Sequence, residues 1–301
     1  MTDSVVAIDL GGTKLASAIV DTSGTMMHRR KVAVNRAGVH GCVEQLADAV
    51  REATNTRDVN ETGIRAIGLI VPGIYFAQTG NVWAPNLWGD TQVPLGAELQ
   101  RLVSLPVVIG SDRAGYVLGE QWLGVARGMD DVVFLSVGTG IGTGIIAGGH
   151  LIQGSGDIAG AAGWFALTTE QQKIYKKIGC WEAEAAGPAL ARRAGAASAE
   201  DVITAARNGD VAAKRAVEET ARYLGMGIAN IVSLLNPKII VLGGGLMQAA
   251  DLFIDELNRA MTEWAQPIAA QQVRIQITSL GEDAGLFGAA RLALESFSAS
   301  N

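Results

Sequence analysis

The chain reads as mixed α/β and built twice over, and three observations predict it. Apolar runs of strand length alternate with stretches of helical spacing, in the order strand, strand, strand, helix, strand. A tight glycine turn joins the first two runs. The same run–turn–run plan returns in the second half of the chain.

The first copy is Val5-Val6-Ala7-Ile8-Asp9-Leu10-Gly11-Gly12-Thr13-Lys14, followed by a second strand-like run to Val20. Its turn lies between two strands, so it is a hairpin and not the entry to a helix. Asp9 stands at the tip of the first strand. Gly11 and Gly12 bare their backbone N–H groups, and Thr13 and Lys14 add donors. Such a concavity suits phosphate oxygens. A carboxylate beside it repels phosphate unless a cation such as Mg²⁺ bridges the two. One copy alone also reads as an ordinary glycine hairpin. The second copy runs from Val132 through Val137-Gly138-Thr139-Gly140-Ile141-Gly142 to Ile146, with Gly138 in the place of Gly11. Two phosphate hairpins, one opening each half, point to a polyphosphate held from two sides, and so to a nucleotide.

The other elements follow in order. Lys31 to Val34 reads as a third strand, and Val39 to Thr54 as a helix with Val43, Leu46, Ala47 and Val50 on one face. Ile64 to Val71 is a strand stopped by Pro72-Gly73. Residues 72–92 show little periodicity and read as a long irregular loop, the kind that often binds ligands. In it Asn86 offers an amide and Trp88 a flat face for a sugar, or both simply anchor a surface loop. Leu105 to Gly110 is a strand, Ser111-Asp112 closes it, and Ala114 to Gly124 is a helix. Asp112 therefore sits where open α/β sheets bind ligands. It is either a helix N-cap, which Ser and Asp favour, or a general base for a hydroxyl that attacks phosphorus.

After the second hairpin comes a glycine-rich run to Gly163. A helix opens at Gly179-Cys180-Trp181-Glu182 and runs on through Gly187-Pro188. Helices are expected at Ala199 to Asn208 and Asp210 to Leu235, then a buried strand at Ile239 to Leu242. Gly243-Gly244-Gly245 leads into a helix at Ala249 to Trp264. This joint either brings backbone close to a flat ligand or is a flexible connection. Gln272 to Thr278 is the last strand, and a terminal helix starts at Asp283.

Composition narrows the function. With 301 residues the chain has room for two domains, and 49% hydrophobic against 18% charged residues is a globular balance. The net charge is −6 with no basic cluster, which argues against nucleic acid as a partner. No apolar run reaches a membrane span and no signal peptide is recognisable, so a cytoplasmic protein is expected. The two cysteines, Cys42 and Cys180, imply no disulfide framework.

In order and spacing, Asp9 to Lys14, Gly138 to Gly142 and Gly243 to Gly245 resemble the phosphate-1, phosphate-2 and adenosine motifs of the actin-like ATPase superfamily. Among its members the chain is similar to the ROK sugar kinases (repressors, open reading frames, kinases). Pro85-Asn86-Leu87 resembles their sugar loop, Ser111-Asp112 with Gly119-Glu120 their Asn-Asp segment, and Gly179-Cys180-Trp181-Glu182 with Gly187-Pro188 their Gly-Cys-x-Glu helix. The resemblance implies two RNase-H-like domains with mixed sheets and a cleft between them: residues 1–112, completed by a C-terminal helix at 286–301, and residues 113–285. It implies ATP and Mg²⁺ at Asp9, Gly11, Gly12, Thr13, Lys14, Gly138, Thr139, Gly140, Gly142, Gly243, Gly244 and Gly245, with Asp9 on the Mg²⁺ through the phosphates. Asp112 would be the base. Asn86, Ser111, Asp112, Trp164 and Glu182 would face the acceptor, and the protein would be a homodimer.

Departures from the family lie on the acceptor side. Where ROK kinases carry Gly-Glu-x-Gly-His, this chain has Gly160-Ala161-Ala162-Gly163-Trp164. The zinc loop is replaced by Thr168 to Ile178, Cys180 is the one cysteine remaining there, and no zinc is expected. The expected activity is therefore phosphoryl transfer to a sugar, a modified sugar or a sugar-like polyol. The alternatives are a glucokinase acting on free hexose, a sugar sensor without catalysis, and a structural ATPase. Family repressors carry an N-terminal DNA-binding domain, for which a hairpin beginning at residue 5 leaves no room. Trp164 either touches the acceptor or fills core space left by the zinc loop.

Overall fold

The computed structural model describes residues 3–55 and 63–298. In chain order the strands are β1 (Asp3–Leu10), β2 (Lys14–Asp21), β3 (Met26–Ala33), β4 (Gly63–Val71), β5 (Ile74–Phe76), β6 (Asn81–Trp83), β7 (Gln92–Val93), β8 (Val107–Ser111), β9 (Val132–Val137), β10 (Ile141–Ala147), β11 (His150–Leu151), β12 (Ile239–Gly243) and β13 (Arg274–Ile277). The helices are α1 (Gly38–Thr54), α2 (Pro85–Trp88), α3 (Leu95–Gln100), α4 (Asp112–Leu123), α5 (Tyr175–Ile178), α6 (Cys180–Ala185), α7 (Gly187–Ala194), α8 (Ala199–Arg207), α9 (Val211–Leu235), α10 (Ile254–Trp264), α11 (Pro267–Gln272) and α12 (Ala284–Ser298).

Two units share one sheet plan. The first sheet runs β3-β2-β1-β4-β8 and the second β11-β10-β9-β12-β13. In each, the central strand pairs antiparallel with the other arm of its hairpin and parallel with the next strand inward. The expected duplication is thus present strand for strand, with β1 and β9 in the same central place. The hairpin registers close on Leu10↔Leu15 and Val137↔Ile141.

The first unit ends at Gly128 and takes back Gln153–Ile158 and the terminal segment from Glu282. Its sheet is buried on both faces, so β1 reads as a continuous apolar run. Val6, Ile8 and Leu10 face the cluster under α1, while Val5 and Ala7 face the cluster under α12. The helix α12 lies very close to the sheet. A Cβ on Gly68 would fall 1.9 Å from the Ala289 carbonyl oxygen. The second unit holds Met129–Ile152 and Ala159–Gly281. There Val133, Leu135 and Val137 of β9 pack into one cluster with α9.

Several expectations need correcting. Residues 72–92 are not irregular: β5, β6 and β7 form a small antiparallel sheet there, followed on β6 by the single turn α2. Strands this short leave too few positions for an alternating pattern to register. The strand β3 starts five residues before the expected Lys31, because an edge strand carrying His28, Arg29, Arg30 and Lys31 lacks an apolar signature. The helix opening at Gly179 stops at Ala185, and Pro188 sits in the first turn of a separate helix, where its missing N–H does no harm. After Gly243 a 3₁₀ stretch at Gly245–Leu252 precedes α10. The division between units falls after Gly128, where the sequence reading puts it after residue 112, because α4 packs on α12. Residues 299–301 of the expected terminal helix lie outside the described residues.

The α4–α12 crossing brings main chain against main chain. A Cβ on Gly288 would lie 1.8 Å from the Gly115 carbonyl oxygen, and one on Gly119 2.4 Å from that of Ala284. Gly288→Ala is therefore expected to lower stability by ~1–3 kcal/mol or more in urea denaturation, as overpacking does. A midpoint equal to the parent's would show that the helices can part freely.

Candidate active site

In the first unit the hairpin turn places Asp9 and Gly11 to Lys14 together. The Gly11 N–H donates to the Lys14 carbonyl at 2.9 Å, so this amide closes the turn and is not bare as expected. Gly12 faces open space, since a Cβ added there meets nothing within 4 Å, and its carbonyl accepts from Arg36 at 2.8 Å. Thr13 and Lys14 are exposed. Asp9 is different. Its Oδ1 is buried with no hydrogen-bond partner among the described residues. Burial, and then the charge of Asp112, push its carboxyl up to about 7, against a weaker pull from Lys31. A buried oxygen in this state fits a hard cation, the role expected of Mg²⁺.

Asp112 is the first residue of α4. Its capping alternative is answered by its neighbour: the Ser111 hydroxyl accepts the Ala114 N–H at 3.3 Å and is the cap. Ser111 is thereby occupied with the helix. Part of Asp112 reaches the surface, but burial of the carboxyl pushes it up to about 6, opposed by the Arg113 charge and N–H, which donates to Oδ1 at 2.7 Å. Tyr116, one turn further along α4, feels both Asp9 and Asp112; burial first and those charges second raise its phenol well above its usual range. Nothing local in the sequence marks Tyr116 as part of this group. Asn86 is exposed on α2. Trp88 half-buries its ring against the core and donates its indole N–H to the Thr91 carbonyl at 3.1 Å, so it anchors the segment.

In the second unit the Gly138–Gly140 turn closes with the Gly138 N–H on the Gly140 carbonyl at 3.0 Å. Glu182, in the first turn of α6, packs against it: its Oε2 accepts the Ile141 N–H at 2.8 Å. A Cβ on Gly140 would come within 2.7 Å of that oxygen, which is why this turn position is glycine. Burial raises the Glu182 carboxyl and the Ile141 bond partly offsets the rise. Gly142 lies in β10 beyond the turn.

The glycine triplet divides its labour. A Cβ on Gly243 would strike the Phe134 ring, and Gly244, at φ +90, lies against the Val137 backbone; Gly245 is open. A cavity of about 650 Å³ joins Gly138 and Thr139 of the hairpin to Gly245, Gly187, Pro188 and α8 residues including Arg207. Gly138 and Thr139 of the hairpin and Gly245 of the triplet thus line one cavity. The α8 wall and Arg207 carry no sequence signal. Trp164 ends a short 3₁₀ turn and is 58% exposed, so it does not fill core space.

Both Asp9 and Asp112 hold protons more readily folded than unfolded. As pH rises through about 4–6 the folded chain loses this excess at Asp112, and stability falls. Asp112→Asn is expected to raise the free energy of unfolding at pH 7.5 by on the order of 2 kcal/mol and to flatten that slope. Ser111→Ala should instead lose about 1 kcal/mol. Loss of stability in Asp112→Asn would return Asp112 to a purely structural role.

The pattern of the ROK family matches residues 5–296. A glucokinase of Halalkalibacterium halodurans is 30% identical over 94% of this chain and 92% of its own. The crystal structure of a ROK hexokinase from Thermus thermophilus superposes with a TM-score of 0.84 at 30% identity, covering 98% of this chain and 99% of that one. A ROK family glucokinase from Streptomyces griseus, solved in complex with glucose and AMPPNP, gives 0.81 at 29%, covering 97% and 99%. A family pattern spanning almost the whole length, over a sheet plan duplicated around two glycine hairpins, makes this chain a member of the ROK family.

Proposed function

We propose that this protein is an ATP-dependent kinase that transfers the γ-phosphate to a hydroxyl of a sugar or sugar-like polyol. The observation that carries the reading is Asp112: a desolvated carboxyl at a strand–helix joint whose capping is done by Ser111. The ROK relatives named glucokinase and hexokinase support it. Asp112 takes the proton of the acceptor hydroxyl, the oxygen attacks the γ-phosphorus, and ADP leaves. With its carboxyl raised to about 6, Asp112 is ionised at neutral pH yet basic enough to accept a proton. Gly12, Thr13 and Lys14 would face phosphate oxygens from the first hairpin. Gly138, Thr139 and Gly245 would hold the nucleotide along the 650 Å³ cavity. Mg²⁺ bound through the phosphates near Asp9 would neutralise charge on the transferring group.

Asp112→Asn should lose ~10²–10⁴-fold in turnover while nucleotide affinity barely changes. Activity of the parent should fall as pH drops below about 6, where the base takes up a proton. Near-normal turnover in Asp112→Asn would remove Asp112 from the chemistry.

On the acceptor side the reading is more specific. The resemblance to ROK kinases implies that the Glu and the His of the replaced motif hold hydroxyls near the sugar's anomeric end. Here Ala161 offers no side-chain hydrogen bond, and the exposed Trp164 offers one N–H and an apolar face. A hydroxyl that the bound acceptor buries against that face without a partner costs ~1–3 kcal/mol. An acceptor in which those hydroxyls are missing, blocked or bridged avoids that cost. Glucose should be a poor substrate in a coupled ADP-release assay across aldoses, anhydrosugars, glycosides and polyols. Ala161→Glu with Trp164→His should shift preference towards glucose. Efficient glucose phosphorylation by the parent would overturn this part of the reading.

Neither zinc nor nucleic acid belongs to this reading. Cys180 is buried, and the segment 168–178 carries no cysteine or histidine. Elemental analysis of untagged protein is expected to find no stoichiometric zinc. Among the described residues no helix is long and apolar enough to cross a membrane, which suits a cytoplasmic kinase. A homodimer is the expected assembly, and light scattering on the purified protein tests it. The exposed Leu234, Trp264 and Ile268 support it: the Gln266 N–H on the Ser233 hydroxyl at 2.9 Å joins the segments that carry them.

A further inference from the structure

The helix α6 has six residues, too few to hold its own orientation. Yet the direction in which Glu182 points depends on that orientation. Two sets of contacts fix it. On the apolar side, Trp181 is fully buried and stacks on Phe165 with centroids 5.7 Å apart and planes 6° from parallel. Its indole N–H donates to the Tyr223 carbonyl at 2.9 Å, and its ring occupies the space that a Cβ on Gly227 would need. On the polar side, the Glu184 carboxylate is gripped at both oxygens. The Tyr175 hydroxyl donates to Oε1 at 2.7 Å, and Arg193 donates to Oε2 at 3.0 Å.

Arg193 is itself held in place. It also donates to the Glu184 carbonyl at 3.0 Å and to the Thr220 hydroxyl at 2.5 Å, and lies over the Tyr223 ring at 5.4 Å. The Glu184 and Arg193 side chains keep only 10% and 13% of their surface. Taking such a pair out of water costs nearly what its attraction returns, so it is weak evidence of added stability. What it supplies is a defined geometry. Successive helical residues turn by about 100°, so Glu184 and Glu182 lie roughly 200° apart around α6. Fastening Glu184 on one side therefore aims Glu182 to the other.

We propose that Tyr175, Glu184 and Arg193 form a latch that turns α6 so that Glu182 meets the Gly138–Gly140 hairpin, and that they are positioning residues for acceptor binding. This rests on the reading of Glu182 as an acceptor ligand. The latch also ties the segment that replaces the zinc loop. Phe165 stacks on Trp181 and accepts its backbone N–H at 3.2 Å, while Tyr175 near the other end of the segment holds Glu184. Hydrogen bonds and a stacked pair thus hold a segment that contains no cysteine or histidine.

Tyr175→Phe tests the latch, because it removes one hydroxyl and keeps the ring. The Ile141 amide, which donates to Glu182, reports the carboxylate's position without any need for catalysis. Its hydrogen exchange should quicken about three- to tenfold, the worth of one hydrogen bond, while exchange in β12 stays at the parent rate. The KM for the acceptor should rise by a similar factor, with the KM for ATP and kcat within about twofold. Unchanged Ile141 exchange would overturn the latch whatever the kinetics. Faster exchange with an unchanged acceptor KM would overturn its role in acceptor binding. If the parent phosphorylates no acceptor, the kinase reading falls, and Ile141 exchange still decides the latch.

Discussion

The contact on which the first unit depends is the approach of α12 to α4 and to the central sheet with no side chains between them. Gly68, Gly119 and Gly288 each occupy a place where a Cβ would meet backbone of the opposing element, and one on Gly115 would strike the Ile70 side chain. Gly285 extends the pattern to the site itself, since a Cβ there would lie 2.1 Å from the Asp9 Oδ2. Close packing of this kind excludes water, and exclusion of water is the main cause of the raised Asp9 and Asp112 carboxyls. A terminal helix remote in sequence from both acids thus sets their chemistry. Two carboxyls that hold protons above their ordinary range are a burden on stability at neutral pH, which the apolar clusters on the two sheet faces offset.

The second unit solves a different problem, that of aiming one carboxylate. Gly140 and Gly163 leave room for the Glu182 side chain, and the Ile141 N–H receives one of its oxygens. The Gly138 carbonyl in turn accepts the Gly187 N–H at 2.8 Å, which links the hairpin to the start of α7. The hairpin turn, α6 and α7 therefore form one hydrogen-bonded piece. Gly179 opens α6 at φ +88 with no space for a Cβ beside the Gly163 carbonyl, so the chain can enter this piece only through glycine.

Exposure decided between readings that residue type could not. Trp164 is a large aromatic in a chain with few of them, and its type left both contact with the acceptor and burial open. It stands at the surface of the 3₁₀ turn while Phe165, its neighbour, takes the inward place against Trp181. In the same way Trp88, open between a face for a ligand and an anchor for its loop, half-buries itself and hydrogen-bonds to its own loop.

The sequence by itself determined the repeated sheet, the two hairpins, most helices and the positions of Asp9, Asp112 and Glu182 at element ends. These rest on periodicity and turn chemistry, which act between residues a few places apart and so leave a local trace. It missed the small sheet at β5 to β7, the first five residues of the exposed edge β3 and the break before Gly187, where elements are too short or too polar for a period to show. Only the tertiary structure decided that Ser111 and not Asp112 caps α4, that Asp9 keeps an unpartnered oxygen, and that Tyr175 and Arg193 close on Glu184. Desolvation and hydrogen-bond partnership are sums over neighbours from everywhere in the chain, and no window of sequence contains them.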